Sequence, residues 1–193
     1  MNKLVYGVGF NDRKYPVFVD GEKVKSYILW QAILERCYCR KYQESKPTYS
    51  GCKVSDNFKN YSYFYEWAVE QIGYGLTGWE LDKDIICKGN KLYSEETCAF
   101  VPSAINVFFT TRGSLRGEQP IGVSFHKTKN CFTAQCSLNG RHKHLGHFKT
   151  AQEAYQVYKE YKEQLCKDLA NQWKLQIDPR VYEAMMTWTV EPF

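Results

Sequence analysis

Between Pro120 and Cys166 the chain reads as three short runs of alternating side chains followed by one helical stripe. Residues two apart in a strand share a face, so Val123 and Phe125 fall on one side of the first run and Ser124 and His126 on the other. In the second run Phe132, Ala134 and Cys136 point one way, and Thr133, Gln135 and Ser137 the other. Thr150 then stands where a helix needs its N-cap, ahead of Ala151, Ala154, Tyr155, Tyr158 and Leu165 at helical spacing. Leu145, Ala154, Tyr155 and Tyr158 complete the expected core, and the opposite sheet face stays open. That face is predicted to display Ser124, His126, Gln135, Ser137, Arg141, His142, Lys143 and His144.

Charge collects in the same window. Residues 113–150 hold six Lys or Arg (Arg116, Lys127, Lys129, Arg141, Lys143, Lys149) against the single acid Glu118, and all four histidines. Residues 1–112 carry 15 basic and 13 acidic groups and residues 151–193 carry 5 and 7, so this window supplies the net charge of +5. A basic, strand-rich surface backed by a helix suits a nucleic-acid backbone. A solvated sheet face is the plainer alternative.

The rest of the chain punctuates itself. A turn at Asp20-Gly21 suggests a short hairpin, and apolar spacing predicts a helix from Ser26 to about Tyr42. A second helix is expected after Asp56 as N-cap, through Phe64, Trp67, Ala68 and Ile72. Residues 79–112 read as a strand, a turn at Lys88-Gly89-Asn90, a strand around Cys98 to Val101 and a helix opening near Pro102. The eight cysteines include no C-x-x-C pair, so reduced, buried thiols are expected rather than zinc ligands. No apolar run approaches the ~20 residues that cross a bilayer. The N-terminal residues lack the pattern of a secretory signal. The expectation is a cytoplasmic protein with no membrane partner.

Two resemblances sharpen this. Tyr27-x-x-Trp30, Arg36-Cys37-Tyr38, Pro47-Thr48-Tyr49 and the Trp67 helix, then Leu81-Asp82-Lys83-Asp84-Ile85, Gly89-Asn90, Tyr93-Ser94, Glu96-Thr97-Cys98 and Phe100-Val101, resemble phage HNH homing endonucleases over residues 26–112. The resemblance implies a ββα-metal fold that hydrolyses a phosphodiester with Mg²⁺ or Mn²⁺. Such sites use a histidine base at the end of the first strand, yet residues 1–112 contain no histidine, and Lys83 stands there instead. Thr97 occupies the place of the loop asparagine. Asp82, Lys83, Asp84 and Asn106 are therefore the candidate catalytic residues, with Asp82, Asp84 and Asn106 as metal ligands. Alternatively the scaffold binds DNA without catalysis, or Asp82 and Asp84 are merely strand-end charges paired with Lys83 and Lys88.

Gly122-Val123, Phe132 to Cys136, Leu145-Gly146-x-Phe148 and Thr150-Ala151-x-Glu153-Ala154-Tyr155 are similar to the ethylene-response-factor (APETALA-type) DNA-binding domain, over residues 119–165. That similarity implies duplex DNA as partner, gripped through Ser124, His126, Lys127, Lys129, Gln135, Ser137, Arg141, His142, Lys143 and His144. Ser124, Gln135, Ser137 and His144 depart from the Arg- and Trp-rich plant pattern and imply a different target.

The expected fold is α+β. An HNH-like domain spans residues 1–112, a linker 113–119, the sheet-and-helix domain 120–170 and a C-terminal extension 171–193. The leading functional expectation is a phage DNA endonuclease acting in the host cytoplasm. A non-catalytic DNA-binding regulator, and an inhibitor that binds a host protein, are the alternatives.

Overall fold

A computed structural model describes residues 4–110, 118–138 and 141–192. The side chains of Leu138 and Arg141 lie outside that description, as does most of the segment expected to be a linker, 113–117 with Arg116. The fold is α+β, and the chain divides into two compact units: residues 1–103 with 176–181, and residues 104–175 with 182–193. The segment expected as a C-terminal extension is thus shared between the units.

The first unit opens with β1 (Phe18–Val19) and β2 (Glu22–Lys23). Asp20 and Gly21 both have positive φ, 49° and 83°, as a two-residue hairpin turn requires. Helix α1 (Lys25–Tyr38) stops where Cys39 becomes extended, and α2 (Arg40–Ser45) restarts beyond it. The single helix expected to about Tyr42 is therefore two. Next come β3 (Lys53–Val54) and α3 (Tyr61–Glu70). The α3 cap is Asn60, whose side chain accepts from the Ser62 and Tyr63 amides at 2.7 and 3.3 Å. Asp56, the expected cap, is separated from α3 by a 3-10 turn at Asn57–Lys59, and its carboxylate pairs with Lys59 at 2.7 Å.

β4 (Trp79–Asp82), β5 (Leu92–Tyr93) and β6 (Ala99–Pro102) lead into α4 (Ser103–Phe109). β4 and β6 pair antiparallel from Trp79↔Pro102 to Asp82↔Ala99, while β5 pairs parallel with β3. Trp30, Leu34, Phe58, Tyr61, Phe64 and Phe100 fill the core of this unit. Trp30 is fully buried, and its indole N–H donates to the Phe58 carbonyl at 2.7 Å, so its one polar atom is satisfied. All eight cysteines are free, and Cys37, Cys52, Cys98, Cys136 and Cys166 are buried. Burial pushes the Cys98 thiol up to about 12, which fits an inert small hydrophobe. Arg180 returns from late in the chain to donate to the carbonyls of Glu95 and Glu96 at 3.1 Å, while Asp178 holds its guanidinium at 2.7 Å.

The second unit contains β7 (Val123–His126), β8 (Cys131–Leu138), β9 (Arg141–Phe148) and α5 (Ala151–Trp173). A last helix, α6 (Pro179–Thr187), follows. The strands form one antiparallel sheet in the order β7-β8-β9. Thr150 caps α5 as expected: its hydroxyl accepts from the Glu153 amide, and the Glu153 carboxylate accepts from the Thr150 amide, both at 3.2 Å. Ala154, Tyr155 and Tyr158 of α5 pack on Ala134 and Cys136, with Phe132, Leu145 and Phe148 around them. The Tyr155 hydroxyl donates to the Val190 carbonyl at 2.8 Å, tying the chain end to this core. Among the described residues no helix is long and apolar enough to cross a membrane.

Gly122 sets the approach of β7 to α5. Its φ is +76°, and a Cβ built there would lie 2.1 Å from the Tyr158 ring. Left-handed strain adds to overpacking, so Gly122→Ala is expected to destabilise the second unit by about 2–4 kcal/mol in urea denaturation. A loss below about 0.5 kcal/mol would mean that Tyr158 moves aside freely.

Candidate nucleic-acid interface and the Asp82 turn

Register decides which side chains share the open face. β7 pairs with β8 through Val123↔Ala134, Ser124↔Thr133, Phe125↔Phe132 and His126↔Cys131. Ser124 and His126 therefore lie on the same side as Thr133, Gln135 and Ser137, and all but Thr133 are exposed. Val123 and Phe125 share the core side as expected. Phe125 remains 43% exposed, with its ring 5.1 Å from that of Phe132.

The β8–β9 pairing carries a bulge. Phe132↔Phe148, Thr133↔His147 and Ala134↔Gly146 run in step, and then Gln135 pairs with His144. Leu145 is the extra residue, and it packs in the core beside Phe132. Gly146 takes φ +143°, a backbone that side chains rarely adopt, which lets the strand change step. The consequence concerns the histidines. In an unbroken strand His142 and His144 would face away from His147; the bulge puts all three on the open side, opposite Ser137, Gln135 and Thr133.

His144 and His147 form a connected group with His126. The His144 and His147 rings are 4.7 Å apart between centroids, and those of His126 and His147 are 6.1 Å apart. His147 Nδ1 lies 3.1 Å from the Thr133 hydroxyl and 3.7 Å from the Cys131 sulfur, while its Nε2 is 3.2 Å from the Lys129 ammonium. His142 Nδ1 sits 2.6 Å from the Ser137 hydroxyl. Desolvation, with Lys129, His144 and His126 nearby, holds His147 below the usual histidine range. His147 is missing from the face read by alternation because an alternating reading assigns it to the buried side.

Alternation between His142 and His144 corrects the placing of Lys143 on the open face. Lys143 pairs with Cys136 and so lies on the helix side, where its ammonium stands 4.8 Å from the centre of the Tyr161 ring of α5. Its charge meets an aromatic face there rather than the open sheet. Arg141 pairs with Leu138 through its backbone. Lys127 and Lys129 are exposed in the β7–β8 turn, at the edge of the open face.

No protein-family model, curated protein or solved structure matches this chain.

In the first unit, Asp82 ends β4 by bonding to its own backbone. Its Oδ1 accepts from the amides of Asp84 and Ile85, both at 2.7 Å, closing a turn. Lys83 is 6% exposed; its ammonium meets Asp84 Oδ1 at 2.6 Å and the Asn90 carbonyl at 2.9 Å, 5.6 Å from the Tyr93 ring centre. The Asn90 amide donates to the carbonyls of Lys83 and Leu92, at 2.8 and 2.6 Å, holding the loop shut. Thr97 Oγ1 donates to the Leu92 carbonyl at 2.7 Å, a loop contact of its own.

A divalent cation needs several converging oxygen ligands. Here one carboxylate builds a turn, and the other already holds an ammonium. Asn106 belongs to the other compact unit. Among the described residues no group of three or more His, Cys, Asp or Glu is arranged to hold a metal. Within the first unit, Asp82 spends its Oδ1 on its own backbone and Asp84 pairs with Lys83.

Burial pushes the Asp82 carboxyl above the usual carboxylate range, and its two backbone donors only partly offset this. An acid with a raised folded-state pKa opposes folding when ionised. That penalty is fully present above the folded value and vanishes below the unfolded one. Asp82→Asn keeps the turn acceptor and removes the charge, so stability at pH 7 should be unchanged or higher. Asp82→Ala orphans two amides and should cost about 1–3 kcal/mol in chemical denaturation. Equal losses in both variants would show that the charge, not the turn, is what Asp82 supplies.

Proposed function

We propose that this protein binds duplex DNA by laying the open face of β7, β8 and β9 against the major groove, and that its Asp82–Asp84 turn is structural rather than hydrolytic. The observation that carries the reading is the composition of that face. No Asp or Glu occurs between Glu118 and Glu153, and the exposed side is Ser, Gln and His with Lys at its edge. Hydrogen-bonding side chains without carboxylates suit base edges flanked by phosphates. The outer strands of a three-stranded sheet stand ~10 Å apart, close to the ~12 Å width of the groove.

Roles divide by position. Ser124, Gln135, Ser137 and His142 offer donors and acceptors to bases from the strands. Lys127 and Lys129 lie in the turn, where ammonium groups meet phosphates. Lys83 supports the non-catalytic half of the reading. It fills the position of the missing histidine base and gives Asp84 its positive partner from within the chain. On this reading the resemblance of residues 26–112 to HNH endonucleases reflects a retained scaffold.

Fluorescence anisotropy with a labelled duplex, across a salt series, measures the first half. Lys127→Ala and Lys129→Ala should each weaken binding and reduce the slope of log affinity against log salt by about one unit. Supercoiled plasmid with Mg²⁺ or Mn²⁺ measures the second and should stay intact. Nicking that disappears in Asp84→Ala would restore the endonuclease reading. Absence of binding to any duplex at low salt would overturn DNA binding and favour a protein partner.

A further inference from the structure

Lys129 ties two of the imidazoles on the open face together. A lysine ammonium can only donate, so His147 Nε2, 3.2 Å from Lys129 Nζ, accepts and carries no proton. The Lys129 backbone N–H donates to His126 Nδ1 at 3.4 Å, which makes that nitrogen an acceptor as well. One residue therefore contacts two of the imidazoles, His147 through its ammonium and His126 through its backbone N–H. With Nε2 accepting, His147 keeps its proton on Nδ1, facing Thr133 Oγ1 at 3.1 Å.

The three strands and the β7–β8 turn carry no carboxylate to compensate positive charge. Facing the group are Ser124 from β7, Lys127 and Lys129 from the turn, Cys131, Thr133, Gln135 and Ser137 from β8, and His142, His144 and His147 from β9. Helix α5 covers the other side of the sheet. The first carboxylate after the sheet, Glu153, is occupied by the Lys149 and Thr150 amides at 3.1 and 3.2 Å. An anion brought to this face would be its first acidic partner.

We propose that His126, His144 and His147 with Lys129 form a proton-linked clamp for a backbone phosphate of the bound DNA. This rests on the DNA-binding reading above. The phosphate draws the Lys129 ammonium away from His147, and the freed Nε2 takes a proton from solvent. The resulting imidazolium donates to a phosphate oxygen, a charge-assisted hydrogen bond. No covalent bond is made or broken, and the complex holds more protons than its separate parts. Histidine titrates near pH 6.5 when unperturbed, and a phosphate partner raises that value. Affinity is therefore greatest below the free-protein value and falls as pH rises through the bound one.

The test is duplex affinity measured from pH 5.5 to 8.5 at fixed ionic strength. Between pH 6 and 8 the intact protein should lose about tenfold in affinity, the equivalent of one linked proton over one pH unit. His147→Gln, at an exposed position, should cut that change to less than about threefold. Calorimetry in buffers of different ionisation enthalpy should show net proton uptake by the intact protein. Imidazole NMR titration, which needs no variant, should show His147 protonating at higher pH once DNA is added. Tight binding that is independent of pH, or an unmoved His147 titration, overturns the clamp and leaves DNA binding standing. Absence of binding at every pH removes the DNA reading and the clamp with it.

Discussion

A three-stranded sheet backed by one helix can bury only one of its faces, and the second unit is organised by that constraint. Ala154, Tyr155 and Tyr158 reach down from α5 onto Ala134 and Cys136. Small residues in β8 let the aromatic rings of the helix approach closely, and Gly122 leaves room for Tyr158 at the start of β7. Everything that cannot enter this core is pushed to the other side. The face opposite α5 is polar, and it is basic because no carboxylate occurs in its strands. The fold thus supplies a flat surface of hydrogen-bonding side chains whose positions are set by backbone pairing.

Much of this was legible as alternation. Ser124, His126, Gln135, Ser137, His142 and His144 lie where the pattern put them, and Thr150 caps the helix as its spacing to Glu153 implied. Alternation fails where the backbone changes step. The bulge at Leu145 depends on the unusual φ of Gly146, and a single glycine in a strand does not announce which neighbour becomes the extra residue. That one residue moved His147 onto the open face.

The first unit was readable as helices and less so as strands. A two-residue strand such as β5 has no period to detect, and its parallel partner β3 lies far away in sequence. Asn60 displaced Asp56 as a cap because a 3-10 turn intervened, and either residue type makes an acceptable cap on local chemistry. The Asp82-Lys83-Asp84 run was ambiguous for a similar reason. Two carboxylates one residue apart can converge on an ion or serve separate ends. Here Asp82 turns inward to its own backbone while Lys83 brings a cation to Asp84. An internal ammonium braces the loop, and Asn90 closes it by donating to the carbonyls on both sides.

The account stands on the claim that DNA meets the face of the sheet opposite α5. Backbone amide NMR of the full chain, titrated with a short duplex, tests this most directly. The account predicts shifts concentrated at Ser124, His126, Thr133, Gln135, Ser137, His142, His144 and His147 and in the Lys127–Asn130 turn, with the solvent side of α5 unmoved. Shifts confined to α5 or to the first unit, with those strand residues silent, would contradict it.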